Sequence, residues 1–250
     1  MFVRFTASPA SGSAAHPTKR RVASGRLACA APVLLTAALT ACQSLSSAAA
    51  ETRGSNLAQA SAGPARPGTD PGHAGAGTPL VPAAGDELAA FAEGCFWGSE
   101  DTFRHVDGVV ATAVGYTGGH TTQPTYEDVC THTTGHAETV LVEFDPKRVT
   151  YARLLEVFWG SHDPTTPNRQ GPDVGDNYRS AIFTFSPEQE AAARESLANA
   201  QARFKAAITT RIAPIGPFWK AEDYHQQYDE RTGRHSCPLP RGRGSAALAL

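Results

Sequence analysis

A break in composition near Asp86 constrains this chain more than any other feature. Up to that point Ala, Ser, Gly, Pro and Thr dominate with scarcely an aromatic, and such a stretch buries too little apolar surface to offset the entropy of ordering it. Beyond it Phe, Trp, Tyr, Val and Ile recur at intervals a core can use, and a domain of about 150 residues is long enough to enclose one. The formal net charge of −2 leaves no basic footprint, so no nucleic-acid partner is expected. Met1 is the only methionine, which leaves a processed chain without this readily oxidised side chain.

The first 41 residues read as an address rather than a fold. Lys19, Arg20, Arg21 and Arg26 precede an apolar run from Leu27 to Ala41 that is too short to span a bilayer comfortably, which is the layout of a secretory signal peptide over 1–41. The run ends in Leu39-Thr-Ala-Cys42, which resembles a bacterial lipobox. That resemblance implies lipidation of Cys42, a membrane partner through the lipid anchor, and a periplasm-facing place in the bacterial cell envelope. Residues 42–85 are punctuated by Gly63-Pro64, Arg66-Pro67-Gly68 and Asp70-Pro71-Gly72, and are expected to form a disordered tether in which His73 is merely solvated.

The folded domain is expected over 86–240, with a disordered tail over 241–250. Leu88–Glu93 reads as a buried strand stopped by Gly94, Gly98–Arg104 as a helix, and Val109–Gly115 and Thr139–Phe144 as strands bounded by turn residues. Thr150–Trp159 carries Leu154, Leu155, Phe158 and Trp159 at helical spacing, so these side chains are core. Ala181–Phe185 is a further strand. Ser186-Pro-Glu-Gln189 then opens a helix to about Ala206, and Arg211–Ile215 adds an edge strand. This order is not the strict alternation of a doubly wound sheet. It predicts an α+β two-layer sandwich with a mixed, ferredoxin-like sheet and an irregular C-terminal tail.

Five cysteines occur, at 29, 42, 95, 130 and 237, and the first two belong to the leader and the anchor. No pair has C-x-x-C spacing, so neither a thioredoxin motif nor a zinc ribbon is indicated, and no metal is expected. Three domain thiols cannot all pair within one chain. Cys95 stands at a strand-to-helix junction between Gly94 and Phe96-Trp97-Gly98, where helix-start amides would favour thiolate, and the same position also suits a buried structural cysteine. His136, His162 and His225 offer the alternative of a Cys-His hydrolase or acyltransferase. A non-catalytic envelope lipoprotein is a third reading.

Gly94-Cys-Phe-Trp-Gly-Ser-Glu100 resembles the active-site signature of A-type methionine sulfoxide reductases. Further blocks resemble that family in the same order: Val114–Gly119, Pro124–Cys130, Gly135-His-Ala-Glu138, His162–Thr166, Asn168–Gly171, Tyr178–Ile182 and Ala221–Tyr228. The resemblance implies an oxidoreductase that reduces methionine S-sulfoxide, free or in proteins, through attack of the Cys95 sulfur on the sulfoxide sulfur and a sulfenic acid intermediate. It implies Glu138 as the proton-sharing acid, Tyr126 and Tyr178 as donors to the sulfoxide oxygen, Asp173 as a member of the same network, and Phe96 and Trp97 as the substrate's methyl pocket. It further implies Cys237 as the thiol that resolves the sulfenic acid to a disulfide, no bound cofactor, a thioredoxin-like protein or dithiol as electron donor, and a monomer. Cys130 is expected to be structural or incidental. Three departures stand out against the family pattern: Pro172 before Asp173, Asp176-Asn177 before Tyr178, and His235, Ser236 and Pro238 around Cys237.

Overall fold

The computed structural model describes residues 67–234. Cys42 and Cys237, the signal over 1–41, the first part of the expected tether and the tail over 241–250 lie outside the described residues.

A six-stranded mixed sheet forms the centre. β1 (Glu87–Glu93) lies between β3 (Ala137–Phe144) and β6 (Ser180–Thr184), antiparallel to both. β2 (Val109–Thr117) pairs antiparallel with β3, β7 (Arg211–Pro214) joins β6 in parallel, and β8 (Trp219–Lys220) closes the other edge on β2. Helix α1 (Phe96–Arg104) connects β1 to β2, and α3 (Tyr151–Ser161) follows β3 and leads towards β6. The spatial order β6-β1-β3-β2, with a helix in each crossover, is the expected α+β, ferredoxin-like arrangement. Shorter elements decorate it: α2 (Tyr126–Cys130), the hairpin β4 (Arg169–Gln170) and β5 (Asp173–Val174), α4 (Pro187–Gln201) and α5 (Tyr228–Thr232).

Strand parity sorts the core. Ala89 and Phe91 of β1 face the helices, where Phe91 stacks on Phe103 at 4.8 Å and meets Phe158 at 5.5 Å. Leu88, Ala90 and Ala92 point the other way, and all are at most 4% exposed. Both faces of β1 are therefore covered, which is why its sequence reads as a continuous apolar run rather than an alternation.

The cover on the second face corrects the expected tether boundary. From Pro67 to Gly85 the chain lies along the sheet: Gly72 N and Ala83 N donate to the two carboxylate oxygens of buried Glu143 at 2.6 and 2.7 Å, and Lys220 N donates to Gly75 O at 3.1 Å. Ala74 and Leu80 complete an apolar layer with Leu88 and Phe218. The segment has too few apolar residues to make a core of its own. It uses one that the sheet already presents.

Two helix boundaries also differ from expectation. Helix α1 begins two residues early because Cys95 already occupies the capping position. Helix α4 opens as predicted, with Ser186 Oγ accepting from Gln189 N at 3.2 Å, but ends at Gln201. The Gln201 side chain bonds Phe204 O, Ala206 O and Ile208 N, drawing the following residues off the helix axis. No helix among the described residues is long and apolar enough to cross a membrane.

Candidate active site

The site forms where β1 turns into α1. Gly94 has φ +103°, and a Cβ there would stand 2.6 Å from Gln170 Cγ, so the turn requires glycine on both counts. It places Cys95 at the cap of α1, half-buried and reduced. The Trp97 amide does hydrogen-bond the sulfur, as expected of a helix start, but it does not prevail. Burial first, and the negative field of Glu138 second, push the thiol up to about 12. These two effects outweigh the help of the helix-start amide and favour the thiol over the thiolate at rest.

Glu138 is the ionisable group that bears most on this thiol. Its parity on β3 turns it to the helix side of the sheet with Val140 and Val142. It is 2% exposed, with Oε2 accepting from Phe96 N at 3.2 Å and Oε1 from Asn177 Nδ2 at 3.3 Å. Desolvation raises its carboxyl to about 8 despite those donors, so it holds a proton at neutral pH. A protonated Glu138 exerts no repulsion on a developing thiolate.

The two phenols converge on this carboxyl from different elements. Tyr126 heads α2, held there by the Thr125 cap and by Glu222 Oε1 accepting from Tyr126 N at 2.9 Å; its hydroxyl hydrogen-bonds the Cys130 side chain. Tyr178 ends a one-turn 3-10 segment, Asp176–Tyr178, and burial with the nearby Glu138 raises it to about 12. Both phenols are thus neutral donors, since the ordinary phenol value is already near 10. Asp173, on β5, is half-buried with its carboxyl raised by desolvation, and its field reaches Cys95, Glu138 and Tyr178.

Phe96 and Trp97 form an aromatic wall with partners that sequence reasoning did not assign to it. The Trp97 indole N–H donates to His225 Nδ1 at 3.0 Å, and its ring stacks on Tyr228 at 3.9 Å. His225 also lies 5.0 Å from the Phe96 ring and 4.7 Å from that of Tyr126. Burial keeps His225 neutral by lowering its basicity, and Nδ1 is occupied as an acceptor. His162 bonds Phe158 O and Ser180, and His136 bonds Thr121 O and Gly119 N. His136 and His162 are thus committed through both ring nitrogens, while His225 has Nδ1 taken by Trp97 and its buried Nε2 lies 3.9 Å from Glu222 Oε2 without a hydrogen-bond partner.

Asn177 is the second residue that was missed. It was visible in the sequence only as a departure from the family pattern, and nothing in its local context reveals a contact with a residue 39 positions away.

Comparison with known proteins bears on the same region. Residues 87–248 match the family model described as peptide methionine sulfoxide reductase, a span that includes both Cys95 and Cys237. The chain is 60% identical over 157 residues to peptide methionine sulfoxide reductase MsrA of Methanothermobacter thermautotrophicus, covering 62% of this chain and 93% of that one. It is 54% identical over 155 residues to peptide methionine sulfoxide reductase A2 of Arabidopsis thaliana, covering 62% of this chain and 71% of that one. Among solved structures it is similar to methionine sulfoxide reductase A of Corynebacterium diphtheriae, with 42% identity, a TM-score of 0.59, and coverage of 62% and 78%. The reduced form of Mxr1 from Saccharomyces cerevisiae aligns with 36% identity, a TM-score of 0.60, and coverage of 62% and 91%. A thiol at a helix cap beside a protonated carboxyl and two phenols, on a fold shared with these structures and within a family match over most of the chain, has one consistent meaning: this chain belongs to the peptide methionine sulfoxide reductases of the MsrA type, which are oxidoreductases.

Proposed function

We propose that the chain reduces methionine S-sulfoxide by an attack of Cys95 on the sulfoxide sulfur that Glu138 assists with a proton. The observation that carries this reading is the buried Glu138 carboxyl accepting from the amide that directly follows Cys95, where desolvation favours its acid form. The Cys95 sulfur attacks the sulfoxide sulfur while Glu138 gives its proton to the sulfoxide oxygen and takes up the thiol proton. Tyr126 and Tyr178 donate to the same oxygen as charge develops on it. The attack forms a bond between the Cys95 and methionine sulfurs; a second proton from Glu138 lets the oxygen leave as water when the S–O bond breaks, and attack of water on the Cys95 sulfur then breaks the S–S bond, releasing methionine, leaving a Cys95 sulfenic acid and returning the proton to Glu138. Phe96 and Trp97 receive the methyl group, and Asp173 tunes the network through its field.

Attack by the Cys237 thiol on the sulfenic acid then forms a Cys95–Cys237 disulfide and water. A thioredoxin-like protein or dithiol returns both thiols. With Cys42 lipidated, the enzyme works as a monomer on oxidised proteins of the cell envelope.

The test is mass analysis after exposure to methionine sulfoxide without reductant. One methionine per chain should form, with residues 95 and 237 crosslinked. Cys95→Ser should produce none, and a link from Cys95 to Cys130 would overturn the relay. Because Glu138 loses its proton as pH rises through about 8, kcat/KM should fall on that side and hold below it. Glu138→Gln should cost about 10²- to 10⁴-fold and abolish that limb; an unchanged limb in this variant would rule Glu138 out as the proton donor.

A further inference from the structure

Asn177 lies on a turn built to place it. The turn Asp176–Tyr178 is fastened to the ends of β2 and β3 by the buried Arg179 guanidinium, which donates to Asp176 O at 2.8 Å and Gly135 O at 2.9 Å. The residue before the turn is Gly175, where a Cβ would strike both the Asn177 Oδ1 and the His132 ring. The outcome is an amide side chain on a residue 1% exposed, pointing at the site. Its Nδ2 donates to Glu138 Oε1 at 3.3 Å, and the same side chain hydrogen-bonds the Tyr178 phenol. Its Oδ1 is buried with no hydrogen-bond partner.

A primary amide carries two N–H donors and a carbonyl acceptor, so one asparagine can serve the acid and the phenol together. A buried carbonyl without a partner costs free energy, and that cost falls away when a neighbour offers a proton. That carbonyl has no partner here, so the contact Asn177 makes with Glu138 is the donation from Nδ2.

We propose that Asn177 is a positioning residue for sulfoxide reduction, its amide holding the Glu138 carboxyl and the Tyr178 phenol in register on one oxygen and setting the balance between the acid and its anion. The inference rests on the reading of Glu138 as proton donor. Donation from Nδ2 favours the anion, so removing it should leave the proton on Glu138 to higher pH. The other titratable groups facing Glu138 are Cys95 from α1, Asp173 from β5, Tyr116 from β2, Tyr126 from α2 and Tyr178 itself; of these Tyr178 also loses its hydrogen bond to the amide in Asn177→Leu, which raises the phenol further and leaves it neutral, so no new charge appears beside Glu138.

The experiment measures kcat/KM against pH on the full chain with dithiothreitol as reductant, for wild type, Asn177→Leu, Asn177→Gln and Glu138→Gln. Asn177→Leu keeps the volume without the hydrogen bonds. It should lose activity about 10- to 100-fold, chiefly in kcat, and move the alkaline limb up by about one pH unit. Asn177→Gln, which keeps the amide, should restore most of the activity and the wild-type limb. A loss of activity with an unmoved limb, or no loss at all, overturns the proposal. Should the Leu variant fail to fold, Asn177→Asp answers the same question, because it replaces the donor with a like charge and must also raise the limb. Glu138→Gln separates the two readings: if its limb persists, the assignment of Glu138 fails, whereas a lost limb there with an unmoved one in Asn177→Leu refutes the role of Asn177 alone.

Discussion

Glu93 ends β1 two residues before Cys95 and has no place in the proposed mechanism, yet it is 2% exposed. Ser161 Oγ donates to its Oε1 at 2.9 Å, while Oε2 has no partner. Desolvation raises the carboxyl to about 8, against roughly 4.3 in an unfolded chain. The folded state therefore keeps a proton that the unfolded state releases, and stability conferred at low pH is lost as pH rises from about 4.5 to about 8. Glu93→Gln should remove one contribution to a fall in denaturation midpoint between pH 5 and pH 8, to which Glu138 and Glu100 add and which the buried His136, His162 and His225 oppose. An undiminished fall would mean that Glu93 does not hold its proton. At this scale legibility in the sequence was uneven. Cys95, Glu138, Tyr126, Tyr178 and Asp173 were named through short blocks around each of them, and the fold gathers all five. His225 and Asn177 were not given their roles, because each acts on a residue far away in sequence, 128 positions for His225 with Trp97 and 39 for Asn177 with Glu138.

Among elements, the long ones were legible, as was the four-residue edge strand β7, and the other short ones were not. β2, β3, β6 and α3 carry enough apolar residues to be read from them, β1 is legible as an unbroken apolar run, and α4 by the cap that opens it. The five residues of α2, the two of β8 and the hairpin β4–β5 are too short for any period, and they exist through contacts with the larger elements. Helix α5 is the clearest case. Glu100 of α1 accepts from Gln227 N at 2.7 Å and from Gln227 Nε2 at 2.8 Å, and Arg104 of α1 pairs with Glu230 at 2.8 Å. Arg104 also donates to Pro67 O, Gly68 O and Thr112 Oγ1, so one side chain ties the N-terminal segment and α5 to the helix that presents Cys95. Arg104→Met keeps the apolar stem and removes every one of these bonds. It should lower unfolding free energy by about 3 kcal/mol in urea titrations and speed amide exchange in residues 228–234. Unchanged exchange there would show that α5 stands without Arg104.

At the scale of the whole molecule, the composition break near Asp86 located the sheet but not the edge of the folded unit. The family match begins at residue 87, so a chain cut at that boundary would discard the segment from Pro67 to Gly85. That loss would strip two backbone donors from the buried Glu143 carboxylate and bare Leu88, Ala90 and Leu141 on the second face of the sheet. Hydrogen bonds to a charged group contribute roughly 1.5–3 kcal/mol each, and the apolar face adds to them, while ordering nineteen residues opposes both. Water can replace the two amides on Glu143 once the segment is gone, but it cannot replace the apolar cover that Ala74 and Leu80 give Leu88, Ala90 and Phe218, and that term tips the sum towards the docked segment. A chain starting at Pro67 should melt at the temperature of the full-length protein and keep its kcat/KM. One starting at Asp86 should melt lower by at least about 5 °C, with greater aggregation on heating. Glu143→Gln in the longer chain should fall between them, since Gln can accept from only one of the two amides. Equal melting of the two truncated chains would mean that the segment rests on the sheet without stabilising it, and the folded unit would then begin where the composition changes.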